Sequence, residues 1–144
     1  MGDDADPLQD PVDFINSLPS GWVKEMGVRI LEASGDRVTC EWDVTQKHHQ
    51  GYGIVHGGVH AGVIETLASL GAALAARPQR VVGLENSTSF IRAVRSGRLH
   101  AEARPVTRGR MTQVWEASIW DEHEHLVAMG RVRLLCLDPQ RTLG

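Results

Sequence analysis

The side chains best placed to do chemistry stand on one apolar segment, GGVHAGVIETLASLGAALAA. Its few polar members are His60, Glu65, Thr66 and Ser69. A carboxylate in such surroundings is costly to desolvate, so it needs a partner or serves a function. On a helix, Glu65 and Ser69 are four residues apart and share a face with the small residues Ala61, Gly62 and Ala72. Small neighbours leave room for a ligand beside the carboxylate. The plainer reading is a helix-surface glutamate that meets only solvent or an arginine across an interface.

The segment opens at His56-Gly57-Gly58. The first turn of a helix carries N–H groups without intrahelical partners, and the helix dipole adds positive potential there. Gly57 has no side chain to block approach, so its N–H can bond a carbonyl and the oxyanion that develops on it. The alternative is that these glycines only serve a tight turn. Gly57 and Glu65 are eight residues apart, about 12 Å along an axis that rises ~1.5 Å per residue. A reacting carbonyl must lie about 3 Å from both groups. One chain cannot meet that demand, so a reaction using both requires the helix end of one subunit to face Glu65 of another. His48, His49, His56 and His60 raise the question of a metal, and His56 and His60 have the i,i+4 spacing of zinc-binding helices. No nearby Asp, Cys or third helical His completes a ligand set, so no metal is expected.

These residues need elements to position them. The spacing predicts a long helix over 58–76, ended by Arg77-Pro78. Two strands precede it, over 28–33 and 37–45, joined at Ser34-Gly35-Asp36, with Val38, Cys40, Trp42 and Val44 on one face. A loop covers 46–56. Four strands follow, over 81–92, 98–106, 111–121 and 126–137, separated by turn signals at Ser96-Gly97, Arg108-Gly109 and Asp121–Glu124. A short helix is expected near 13–18, ended by Pro19, after a flexible acidic tail over 1–12. Residues 13–144 then form a single α+β domain with an antiparallel sheet. The long helix is apolar nearly all round, so it should be buried. A sheet wrapped around one central helix, the hotdog arrangement, achieves this.

Composition narrows the function classes. With 42% hydrophobic and 23% charged residues the chain is globular rather than disordered. No uncharged apolar run reaches the roughly 18 residues of a membrane span, and the acidic, Pro-containing start MGDDADPLQDP is unlike a signal peptide. A cytoplasmic protein with no membrane partner is expected. Cys40 and Cys136 are too few for a disulfide scaffold and sit in apolar alternation, as buried thiols do. Residues 1–46 hold ten acidic side chains against three basic, whereas residues 77–110 hold eight arginines against Glu85 and Glu102. Arginines so concentrated suit phosphate, though a solvated basic face would look the same. Nucleic acid is a poor candidate partner, because the overall pI is about 6.1 and aromatics are only 5%.

The stretch QGYGIVHGGVHAGVIETLAS, from Gln50 to Ser69, resembles the signature of hotdog-fold thioesterases. It is most similar to the branch holding the Glu-dependent 4-hydroxybenzoyl-CoA and 1,4-dihydroxy-2-naphthoyl-CoA thioesterases. The likeness continues through VVGLENSTSFIRAVRSG and QVWEASIWDE, and so covers about residues 25–137. The resemblance implies hydrolysis of an acyl-CoA. Gly57 matches the backbone donor to the thioester carbonyl, Glu65 the nucleophile or general base, and Ser69 the hydroxyl that holds the attacking water. Gln50 and His56 match supporting polar residues, and Arg92, Gly109 and Arg110 fall where such enzymes contact the CoA nucleotide. It also implies homodimers that pair into a homotetramer, with no cofactor. Phe90 departs from relatives that carry a histidine there, which points to an apolar aromatic acyl group. Enoyl-CoA hydration is the alternative enzyme class, but its D-x4-H pattern is absent from this helix. A non-catalytic acyl-CoA-binding module is the other alternative.

Overall fold

The computed structural model describes residues 10–141. Of the tail expected over 1–12, residues 1–9 lie outside the described part. Asp10 already caps a helix, α1 (Pro11–Asn16), by accepting from the Asp13 N–H at 3.2 Å, with Pro11 at its first position. That cap starts the helix two residues before the expected Asp13. The Asn16 side chain ties α1 to the first strand, since its amide meets both the N–H and the carbonyl of Ile30 at 2.9 and 2.8 Å. A second short helix, α2 (Trp22–Met26), was not foreseen, and it ends at Gly27 in the left-handed region with φ 69°.

The strands are β1 (Arg29–Ala33), β2 (Val38–Asp43), β3 (Arg80–Phe90), β4 (Arg98–Arg108), β5 (Thr112–Asp121) and β6 (Leu126–Leu137). They form one antiparallel sheet in the order β1-β2-β4-β5-β6-β3. The period of two sets the inner face. In β2, Val38, Cys40 and Trp42 are buried, and in β5 Gln113, Trp115, Ala117 and Ile119 are buried. The outer face carries ion pairs such as Arg98–Asp43, Arg37–Glu102 and Arg131–Glu116. Cys40 and Cys136 are buried and unpaired, and burial pushes the Cys40 thiol up to about 12.

The sheet wraps α3 (Gly57–Ala76), as the sequence predicts. Val63, Ile64, Leu67, Ala68 and Ala72 are fully buried against the strands. Burying one such aliphatic side chain contributes about 1.5–3 kcal/mol. The helix is not buried all round, however. Ala61, Gly62, Glu65, Thr66 and Ser69 are only half-buried, because the sheet covers one side and leaves a groove on the other. By length and composition alone α3 could cross a membrane; here its apolar side lies against the sheet. Two of its glycines seat indole rings: a Cβ at Gly62 would stand 2.5 Å from Trp22, and one at Gly71 would stand 2.5 Å from Trp115.

The edge strand β3 contains a bulge. Gly83 pairs with Leu134 and Glu85 with Arg133, so Leu84 is the extra residue. The bulge reverses the parity of the strand. Val81 and Gly83 lie opposite the buried Cys136 and Leu134, and beyond the bulge Asn86, Thr88 and Phe90 lie opposite Val132, Gly130 and Ala128. Strict alternation from Val81 would instead have turned Glu85, Ser87 and Ser89 toward α3.

Candidate active site

The helix start is held by histidines. His48 is buried, and its Nδ1 accepts the Thr45 N–H at 2.9 Å while its Nε2 lies 2.7 Å from the Met26 carbonyl. Carbonyls only accept, so the proton is on Nε2 and the ring is satisfied as a neutral imidazole. The His56 backbone N–H donates to the His48 carbonyl at 2.8 Å, and the His56 Nδ1 accepts the Gly58 N–H at 2.7 Å. His56 is thus the N-cap of α3. The next N–H, that of Gly57, has no acceptor among the described residues. The Phe90 ring lies over it, where a Cβ at 57 would stand 2.7 Å from the ring.

Glu65 reaches from α3 across the inner face of β3. Its Oε2 accepts from the Asn86 Nδ2 at 3.2 Å, and its Oε1 sits where a Cβ on Gly83 would be. The same Nδ2 donates to the Ala61 carbonyl at 3.0 Å, and the Thr88 hydroxyl donates to the Asn86 Oδ1 at 2.6 Å. These groups line an open cleft of about 330 Å³ bounded by Ala61, Gly62, Glu65, Asn86, Thr88 and Phe90. A half-buried carboxylate with one oxygen accepting a hydrogen bond can take a proton from water or attack an acyl carbon.

The other predicted residues are placed less closely together. Ser69 lies one turn beyond Glu65 and opens on a separate hollow of about 700 Å³ whose walls include Ile15, Leu70, Pro78 and Val81. The Gln50 side chain is turned onto its own loop, where Oε1 accepts from the Tyr52 N–H. His60 is buried at 3% exposure, its ring centroid is 6.4 Å from that of Phe90, and its Nδ1 has no partner. Burial pushes its pKa down to about 4, so the ring is neutral near pH 7. Among the described residues no group of three His, Cys, Asp or Glu gathers to hold a metal. A hollow of about 1160 Å³ lies on the outer face between residues such as Glu41, Arg98 and Trp120, and it contains none of the predicted site residues.

Six of the eight segment arginines are engaged within the chain, Arg77 among them. Arg80 donates to the Arg141 carbonyl, Arg95 to that of Tyr52, Arg98 to Asp43, Arg104 to Glu102, and Arg108 to Asp36. Arg92 and Arg110 are exposed and have no side-chain polar partner among the described residues. Gly109 shapes the β4–β5 turn, and its N–H donates to the Thr112 carbonyl at 2.9 Å. The two free arginines are far apart. Phe90 pairs with Ala128, and Thr112 pairs with Leu135, a separation of roughly 24 Å at ~3.4 Å per residue. A single nucleotide could meet both only if different copies of the chain supplied them.

The sequence reading missed Asn86, Thr88 and Gly83 as parts of this site. Each sits on the inner face of β3, and the bulge at Leu84 hid the parity that brings Asn86 and Thr88 there.

Comparison with known proteins agrees with this architecture. Residues 52–128 match the model of the thioesterase superfamily. The chain is 37% identical over 118 residues to the Mycobacterium tuberculosis protein Rv1847, covering 79% of this chain and 84% of that protein. It is 35% identical over 112 residues to a 1,4-dihydroxy-2-naphthoyl-CoA hydrolase of Listeria monocytogenes, covering 77% and 91%. Among solved structures, the Haemophilus influenzae thioesterase HI1161 superposes with a TM-score of 0.84 at 30% identity, covering 92% of this chain and 94% of that one.

Proposed function

Because the chain belongs to the thioesterase superfamily, has its hotdog fold and is a thioester hydrolase, we propose that it cleaves an aromatic acyl-CoA with Glu65 as the reacting carboxylate. The observation that carries this reading is the Glu65 carboxylate at the cleft, held on one oxygen by Asn86, with Phe90 also in the cleft wall. Phe90 offers an apolar aromatic wall, which suits a flat acyl group. The names of relatives from Listeria monocytogenes and Arabidopsis thaliana, both acting on 1,4-dihydroxy-2-naphthoyl-CoA, support that choice.

In the water-activating route, Glu65 takes a proton from water as the oxygen bonds to the acyl carbon. The oxyanion is received by the unpaired N–H of Gly57 at a helix start. Collapse breaks the C–S bond, and the proton passes from Glu65 to the sulfur, giving free acid and CoA. In the nucleophilic route Glu65 itself bonds to the carbon, the C–S bond breaks and CoA leaves as a thiolate that takes a proton from water, and a second water hydrolyses the anhydride to the acid and the Glu65 carboxylate. Label found in the protein after a single turnover in oxygen-18 water marks this second route, with water attacking the Glu65 carboxyl carbon. Ser69 holds the water, and Gln50 and His56 support the carbonyl and leaving-group side.

Gly57 and Glu65 lie on one continuous helix, about 12 Å apart by helix rise, so the site is completed by a second copy. The eleven-residue edge strand β3 ends the sheet and bears exposed Leu84 and Phe90. A long unpaired edge of this kind invites strand pairing. The assembly is a homodimer through β3, pairing further into a homotetramer, with Arg92, Gly109 and Arg110 from different copies at the CoA nucleotide. The protein works in the cytoplasm, where acyl-CoA is available and thiols stay reduced.

The test is hydrolysis of a panel of aromatic and aliphatic acyl-CoAs, read by release of free thiol, with wild type and Glu65→Ala side by side. Aromatic substrates should be preferred, and Glu65→Ala should lower turnover by ~10² or more. A preference for long aliphatic chains would sink the aromatic reading. Near-normal turnover in folded Glu65→Ala would sink the role of the carboxylate.

A further inference from the structure

We infer that Asn86 is a positioning residue that fixes the Glu65 carboxylate for reaction, with Thr88 locking the Asn86 amide. This rests on the reading of Glu65 as the reacting carboxylate. The orientation of the amide follows from its partners and needs no assumption about which end is nitrogen. The Ala61 carbonyl can only accept, and it lies 3.0 Å from one end of the amide, so that end is the NH2. The same NH2 meets the Glu65 Oε2 at 3.2 Å. The opposite end is then the oxygen, and it accepts from the Thr88 hydroxyl at 2.6 Å. Asn86 is thereby tied at three points, to the α3 backbone, to the carboxylate and to its own strand.

A half-buried glutamate on a helix otherwise has free rotation about its terminal bonds. The Asn86 donor selects one arrangement, with Oε2 occupied and Oε1 lying over the gap that Gly83 leaves. Nothing in this arrangement needs Asn86 to touch the substrate. Its loss should therefore appear in kcat, with KM little changed.

The experiment measures kcat and KM with an aromatic acyl-CoA for Asn86→Ala, Asn86→Asp and Thr88→Val, each also made in the Glu65→Ala background. Asn86→Ala should lower kcat by roughly 10- to 100-fold, the scale of a misplaced reacting group. Asn86→Asp keeps the volume but removes the donor and puts a second carboxylate beside Glu65, so kcat should fall at least as far. Thr88→Val should show the same signs with a smaller loss. In the Glu65→Ala background Asn86→Ala should cost nothing more, because the two residues act as one unit. The inference is overturned if Asn86→Ala keeps wild-type kcat, or if it lowers the rate by the same factor with Glu65 absent. Near-normal turnover in Glu65→Ala alone is a different result, and it removes the reading of Glu65 on which the inference stands.

Discussion

A Cβ on Gly83 would stand 2.3 Å from the Glu65 Oε1, so the glycine in β3 and the carboxylate from α3 divide one space between them. The intruded atom is the far end of a flexible side chain, and Glu65 can swing away without disturbing the core. Gly83→Ala should therefore fold normally while displacing the carboxylate. Thermal melting should shift little, and kcat should fall at least about tenfold, as a misplacement of about 1 Å can cost still more. Wild-type kinetics in this variant would mean that the carboxylate reacts from some other position.

Arg92 and Arg110 are the next targets, because both lack side-chain polar partners among the described residues. A charge-assisted contact to phosphate is worth roughly 1.5–3 kcal/mol before solvent screening. Exposure takes the expected effect to the lower end or below. Arg92→Ala and Arg110→Ala should raise KM for a full CoA thioester and keep kcat, since the nucleotide is remote from the bond broken. The difference should shrink at high salt. With a truncated pantetheine thioester the variants should match wild type, and an equal loss on both substrates would end the assignment.

His60 makes stability depend on pH in a definite direction. Its ring is pushed down from 6.5 to about 4 by burial, and its Nδ1 has no partner. Below pH 6.5 the unfolded chain takes up a proton that the folded chain refuses, so stability is full above that pH and falls as pH drops toward about 4. At about 1.4 kcal/mol per pH unit the loss reaches roughly 3 kcal/mol. Replacing His60 with leucine should flatten the fall in Tm between those limits, and an unchanged slope would place the acid sensitivity elsewhere.

The proposed sharing of the site between two copies would make activity depend on protein concentration. Specific activity should drop on dilution as the dimer dissociates, in step with the sedimentation coefficient. A fully active monomer in the centrifuge would show that one helix supplies everything the reaction needs.

Much of this was legible in the chain. Alternation in β2 and β6 set their inner faces, and Arg77-Pro78 ended α3 within a residue of its observed end, because these signals are local. Glu65 and Gly57 were visible because a charged or unsubstituted residue stands out on an apolar helix. Asn86 and Thr88 were not. Their inward direction depends on one extra residue at Leu84, which no alternation rule locates. The helix Trp22–Met26 escaped notice because five residues carry too little periodicity, and its role is to lay an indole on Gly62. The half-open side of α3 was misjudged for a related reason: composition tells how apolar a helix is, not how far a sheet curls around it.

The two ring-seating glycines of α3 bear on when the reaction site comes into being. Gly62 and Gly71 lie inside the helix, where each costs about 1 kcal/mol relative to alanine. The indoles that fill the space above them come from either side of the helix in the chain, Trp22 before it and Trp115 well after it. During synthesis, the segment carrying Glu65 leaves the ribosome before Trp115 exists to brace it. The carboxylate is therefore positioned late, by docking, and a nascent or truncated chain ending before β5 has the residues of the candidate site without the rigid bed that holds them in place.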